Sequence, residues 1–168
     1  LFFDQYNKQD KNKIFLTNLG NPQHKLSWEK TYLLVNHLSK NISKDIKLGD
    51  RCILISENRP EWLISDLAIM LAGGISVPSY TTYTTKDYEY IIKDCEPSIV
   101  IVSKKEQFEK VKDILDYKKI KKIISFDQLE NLNFENYLCI EDIINENNNF
   151  ENFNSEISLK RTDPACII

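Results

Sequence analysis

Two short runs in this chain, Cys52–Ile55 and Ile99–Val102, are apolar on both faces of an extended backbone. A strand with no polar face belongs inside a sheet that helices cover on both sides, the arrangement of parallel α/β sheets. A third strand is read at Ile120–Phe126 and a shorter one at Ile75–Tyr80, where Pro78 points to an edge or a departure from the ladder.

Between these runs the apolar residues fall at helical spacing. Ser27 is placed to cap a helix whose stripe is Trp28, Tyr32, Val35, Leu38 and Ile42. Leu48-Gly49-Asp50 reads as a turn into the strand Arg51–Ser56. Pro60 suits the first turn of the next helix, where its missing N–H costs nothing. That helix, Glu61–Ala72, is apolar nearly all round, so it is expected to be buried, with Trp62 in the core. Gly73 and Gly74 stop it. Thr84 and Asp87 make a capping-box start for a helix with Tyr88, Ile91, Ile92 and Cys95 on one face, ended by Pro97. Ser103 and Glu106 are read as a second capping box, with Phe108, Val111, Ile114 and Leu115 turned inward. Asn12–Leu19 is a short extended candidate, and Ala165–Ile168 reads as a last apolar strand.

Repeated strand–helix–strand units imply right-handed crossovers and an α/β fold, a mainly parallel sheet with helices on both faces. Ligands of such sheets gather at the carboxyl ends of the strands. The segments after Ser56, Tyr80, Val102, Phe126 and Ile168 are therefore the places to look for a site.

The 168 residues suffice for one domain of ordinary size. From 127 to 156 the pattern decays into an Asn- and Glu-rich stretch. A strand and a helical turn are expected at 137–144, and the rest is read as a poorly ordered surface insertion. The chain starts at Leu1 and stops within the apolar run Cys166-Ile167-Ile168, so both ends read as truncations.

A net charge of −3 gives no sign of a nucleic-acid partner. The cysteines at 52, 95, 139 and 166 have no C-x-x-C spacing, and all four are read as reduced core or near-core thiols, which favours the cytoplasm. The longest apolar stretch, Leu67–Val77, is interrupted and falls short of the roughly 20 residues a membrane-crossing helix needs.

No nucleotide-binding glycine motif and no nucleophile elbow is present. His24 and His37 are read as surface residues. Three segments remain. Asn58-Arg59-Pro60-Glu61-Trp62 reads as a structural strand-to-helix turn. Tyr80-Thr81-Thr82-Tyr83-Thr84-Thr85 fits the lining of a cleft and equally an ordinary loop. Lys104-Lys105, just past Ile99–Val102, fits solvated lysines and also a pair of point charges facing a phosphate.

In order and spacing, several segments resemble the amino-terminal region of long-chain fatty acyl-CoA synthetases. They are Leu48-Gly49-Asp50-Arg51, Ser56 through Trp62, Asp66-Leu67-Ala68, Ala72 through Thr82, and Arg161 through Ala165. Those enzymes belong to the adenylate-forming superfamily. The resemblance implies an incomplete part of the large N-terminal, AMP-binding domain of such an enzyme, spanning residues 1–168. It implies a ligase that uses ATP, Mg²⁺ and CoA to activate a fatty acid through acyl-AMP. The phosphate loop and catalytic Lys of that family lie beyond residue 168, so no catalytic residue is carried over and the isolated fragment is expected to be inactive. Lys104 and Lys105 fall near basic residues that contact the CoA phosphate in some relatives. The implied location is cytoplasmic, at most peripheral to a membrane. An aryl-CoA ligase, an acyl-AMP ligase and a non-enzymatic α/β binding module are the competing readings.

Overall fold

The computed structural model describes residues 2–145, 160 and 162–168. The chain begins with α1 (Phe2–Tyr6), a small antiparallel pair β1 (Ile14–Thr17) and β2 (Lys25–Ser27), and α2 (Trp28–Ser43). It then alternates: β3 (Arg51–Ile55), α3 (Pro60–Leu71), β4 (Ile75–Ser79), α4 (Thr85–Cys95), β5 (Ile99–Val102), α5 (Lys105–Glu109). A 3₁₀ turn at Lys112–Ile114 leads to β6 (Lys122–Ser125), β7 (Tyr137–Cys139) and α6 (Ile140–Asn145). The five later strands form one sheet in the order β4-β3-β5-β6-β7, parallel at every pairing. This is the expected α/β architecture.

Alternation along the central strands sends neighbouring residues to opposite faces. Cys52, Leu54, Ile99, Ile101 and Ile124 pack with Leu34, Val35, Leu38 and Ile42 of α2 and with Ile64, Ala68 and Ile69 of α3. Ile53, Ile55, Val100, Val102 and Ile123 pack with Tyr88 of α4 and with Phe108, Val111 and Leu115. Each fully buried side chain of this size contributes about 1.5–3 kcal/mol.

The caps explain where the helices begin. Ser27 accepts a hydrogen bond from the Lys30 N–H at 3.1 Å. At Thr84 both halves of the capping box form with Asp87. Pro60 opens α3, and Gly73 (φ +84°) turns the chain out of it in a conformation that favours glycine. Ser76 donates to Ala165 O at 3.0 Å and accepts from the Ile167 N–H at 2.9 Å, on the side away from β3. Pro78, two residues on, presents its ring nitrogen to that same side, so the β3–β4 ladder loses no hydrogen bond.

Several expectations are corrected. Ser103 does not cap α5: it is buried and continues the strand, its N–H donating to Ile55 O at 3.0 Å, and Lys104 takes the cap position without a side-chain bond. Trp62 is half-buried, because α3 buries Ile64, Ser65, Ala68 and Ile69 instead. Cys166 is exposed; Ala165–Ile168 forms a single bridge, Ser76 to Cys166, rather than a buried strand. Cys52, Cys95 and Cys139 are buried, and burial pushes the Cys52 thiol up to about 12 and Cys95 to about 11. The strand and helical turn expected at 137–144 are present as β7 and α6; β7 completes the sheet, and Cys139, Ile140 and Ile143, with Leu129, join the core. Residues 146–156 lie outside the described residues. Among the described residues no helix is long and apolar enough to cross a membrane.

Candidate functional site

Two clefts open at the carboxyl ends of the strands. The first encloses about 680 Å³. The β3–α3 connection supplies Glu57 and Arg59, and the first turn of α3 supplies Glu61; the end of β5 supplies Lys104; the end of β6 supplies Phe126 and Asp127; and the β1–β2 loop supplies His24.

Arg59 sits at the centre of this group. Its Nη2 lies 2.8 Å from Asp127 Oδ1 and its Nη1 donates to Asp127 Oδ2 at 3.0 Å, a two-pronged contact. Its Nε donates to Glu61 Oε2 at 3.3 Å, and the guanidinium carbon lies 5.5 Å from the Phe126 ring centre. Burial would lower the Arg59 pKa, but Asp127 and Glu61 outweigh it and raise it above its usual value. Glu61 is only 2% exposed. Its other oxygen faces His24 Nδ1 at 3.5 Å, while His24 Nε2 is buried without a hydrogen-bond partner.

Lys104 Nζ lies 3.2 Å from Glu57 Oε1, which also accepts from Gln107 Nε2 at 3.3 Å. Burial would raise the Glu57 carboxyl; Ser103 and Lys104 act against it and hold the pKa below the usual carboxylate value. Two cationic side chains, Arg59 and Lys104, face four carboxylates, Glu57, Glu61, Asp127 and Glu141. That surplus of negative charge does not fit a free polyphosphate. Among the described residues no group of His, Cys, Asp and Glu is arranged to hold a metal ion.

The second cleft, about 820 Å³, lies past the ends of β3 and β4. Trp62, Pro78, Tyr80, Tyr83, Tyr90 and Ile168 give it an apolar, aromatic wall, and Glu57 borders both clefts. The loop after β4 is pinned from beneath: Tyr88 Oη donates to Tyr80 O at 2.7 Å, and Lys110 Nζ donates to Thr81 O. Burial, with help from neighbouring Tyr83, pushes the Tyr88 phenol up to about 12, so it stays a donor.

Of the two lysines singled out in the sequence, Lys104 lines the first cleft and Lys105 is exposed beside it. The Tyr80–Thr85 segment does line a cleft. Asn58–Trp62 is the expected turn and also carries the charged centre of the site. Sequence reasoning missed His24, read as a surface residue, and Asp127, placed at the start of an insertion. Glu61 looked like an ordinary first-turn acid, and its burial leaves no local mark.

The fold is that of the N-terminal domain of adenylate-forming enzymes. The structure overlays a putative long-chain-fatty-acid CoA ligase of Rhodopseudomonas palustris with a TM-score of 0.77 at 16% identity, covering 96% of this chain and 38% of that one. It overlays the anthranilate CoA ligase AuaEII in complex with anthranoyl-AMP with a TM-score of 0.68 at 20% identity, covering 85% and 26%. The family model of AMP-binding enzymes matches residues 2–168, and the chain belongs to that family. The chain is 29% identical over 120 residues to the long-chain-fatty-acid–CoA ligase ACSBG2 of Xenopus laevis, covering 69% of this chain and 16% of that protein. Against ACSBG1 of Rattus norvegicus the identity is 25% over 122 residues, covering 71% and 17%. The chain thus spans about a sixth of the length of these relatives.

Proposed function

We propose that this chain is part of a fatty acid–CoA ligase that activates a long-chain fatty acid with ATP and passes the acyl group to CoA. The observation that supports this most is the AMP-binding family match over residues 2–168, joined to curated relatives named as long-chain-fatty-acid–CoA ligases. In such a reaction the fatty carboxylate attacks the α-phosphate of ATP, pyrophosphate leaves, and the CoA thiolate then displaces AMP from the acyl-AMP. Negative charge grows on the phosphates, so Mg²⁺ and preorganised donors are needed around them.

The described residues form a frame for that chemistry rather than its reacting centre. The charge-lined first cleft offers no cradle for the ATP phosphates. Lys104 and Lys105 are the candidates for meeting the CoA phosphate as point charges. Glu57 already partners Lys104, so Lys105 is the more open of the two. The three buried, reduced cysteines agree with a cytoplasmic protein, in contact with a membrane at most peripherally, where its lipid substrate is met.

ATP–pyrophosphate exchange by the protein that contains this chain tests the reading. Exchange that depends on palmitate supports it. Exchange that depends on benzoate instead would make the protein an aryl-activating ligase, and no exchange with any carboxylate would remove adenylation altogether.

A further inference from the structure

The strands that carry the first cleft are not all neighbours. In the order β3-β5-β6, the ends of β3 and β6 are separated by the whole width of β5. At the usual strand spacing that gap is about 10 Å. Main-chain hydrogen bonds hold each strand to its neighbour and run a little past the strand ends, from the Ser103 N–H to Ile55 O and from the Asp127 N–H to Ser103 O, both at 3.0 Å. Past that line, side chains set how far residues 56–59 of the β3–α3 connection stand from the loop after β6.

Arg59 is the side chain that spans this gap. It leaves the β3–α3 connection, passes over the end of β5, and grips both oxygens of Asp127 beyond β6, at 2.8 and 3.0 Å. Its third donor is held by Glu61 at 3.3 Å, and its plane lies over Phe126. Glu61 in turn faces His24 of the β1–β2 loop. Three connections around the cleft therefore converge on one planar group. Lys104 emerges from β5 between the two ends that Arg59 joins, and it is tied to Glu57 on the same β3–α3 connection.

We infer that Arg59 is a positioning residue: its guanidinium is a strut that holds the β3–α3 connection at a set distance from the loop after β6 and, through Glu57, sets the placement of Lys104. The inference rests on the reading of this cleft as part of a ligase's working face. The strut depends on shape as well as charge. A guanidinium offers a rigid fork that holds two oxygens of one carboxylate while its Nε serves another; an ammonium is a compact point charge and cannot do both. Arg59→Lys keeps the charge and removes the fork.

The test uses the full-length protein with Cys166 and every exposed cysteine outside residues 1–168 replaced by Ser, so that spin labels attach at Asn58→Cys and Glu130→Cys, two exposed positions on either side of the strut. The label-to-label distance distribution is expected to be narrow with Arg59 and about twofold broader with Arg59→Lys, since one ammonium holds the two ends in several ways. In parallel, Arg59→Lys without labels is expected to lower kcat for acyl-CoA formation about tenfold while KM changes far less and the melting temperature shifts by no more than a few degrees. Asp127→Asn is expected to match it, and the double variant to be no worse than either single, because both break one contact.

An unchanged distance distribution overturns the inference. So does a broadened one with kcat within twofold of the unmodified protein, and so do single effects that multiply in the double variant. If the unmodified protein activates no carboxylate, the ligase reading fails, and with it the catalytic part of this inference; the distances still decide whether Arg59 is the strut.

Discussion

Lys122 Nζ lies 2.7 Å from Asp45 Oδ2 at the amino end of β6, with the lysine side chain only 6% exposed. The ammonium also donates to Asn41 O at 3.0 Å, and Asn136 Nδ2 donates to Asp45 Oδ1 at 3.0 Å. The pair joins the segment after α2 to β6 and to the residue that leads into β7. Breaking such a pair leaves one charge buried and alone, which costs more than the pair itself contributes.

Asp45→Ala is therefore expected to destabilise the protein by about 3–5 kcal/mol. Replacing both partners by apolar residues, as in Asp45→Leu with Lys122→Met, is expected to recover most of that loss. Urea denaturation of the two variants measures both. A double variant as unstable as Asp45→Ala would show that the carboxylate's bond from Asn136, and not the stranded ammonium, carries the effect.

Trp62 borders the second cleft while packing against the core from one side. A fully buried Trp cut to Ala costs about 3–5 kcal/mol. Trp62→Ala keeps part of its solvent contact in both states, so about 1–3 kcal/mol is expected. A loss above that range in chemical denaturation would mean that further chain covers this indole in the full-length protein.

Gly74 has no room for a side chain. A Cβ there would come within 3.0 Å of methyl groups of Ile46 and Ile69 and within 3.3 Å of the backbone oxygen of Asp50. The two methyls can give way, but the oxygen is fixed by the hydrogen bond it accepts from the Ile75 N–H at 2.8 Å. Gly74→Ala is expected to cost about 1–3 kcal/mol through overpacking. A neutral thermal shift would show that the turn after α3 moves more freely than its contacts suggest.

The parts of the fold that could be read from the sequence are those with local causes. Apolar pairs of faces marked β3 and β5, hydroxyl caps at Ser27 and Thr84 marked the starts of α2 and α4, and Pro78 marked the margin of the sheet. The misreadings arise where a distant partner decides. Ser103 has the chemistry of a cap, yet Ile55 on the neighbouring strand draws it into the ladder. Lys122 falls within the strand read at Ile120–Phe126, but nothing near it in sequence announces its burial, because Asp45, which makes that burial tolerable, lies far away along the chain. The site has the same character. The charged centre joins His24, Arg59, Glu61 and Asp127 from three separate connections, and each alone resembles an ordinary surface or turn residue. Only the strand-end rule pointed to the right places, and it names positions without naming side chains.

Asp50 gives the stability of the protein a predictable acid limb. Its Oδ2 accepts from Lys121 Nζ at 2.9 Å, from the Lys47 N–H at 3.1 Å and from Ser98 Oγ at 3.2 Å. Burial alone would raise its pKa; the Lys121 ammonium and the Lys47 and Ser98 donors outweigh burial and hold it below the usual 3.8. A carboxyl with a folded pKa below its unfolded one stabilises the fold fully above the unfolded value and loses that contribution as pH falls through the folded value. Asp50→Asn keeps the shape and removes the charge. The variant is expected to be less stable than the unmodified protein at about pH 6, with the gap smaller at about pH 2.5, because the carboxylate's contribution is lost as pH falls through its lowered folded pKa. Urea titrations at the two pH values measure the gap. A gap of equal size at both would assign the effect to hydrogen-bond geometry at the Leu48–Asp50 turn instead of to charge.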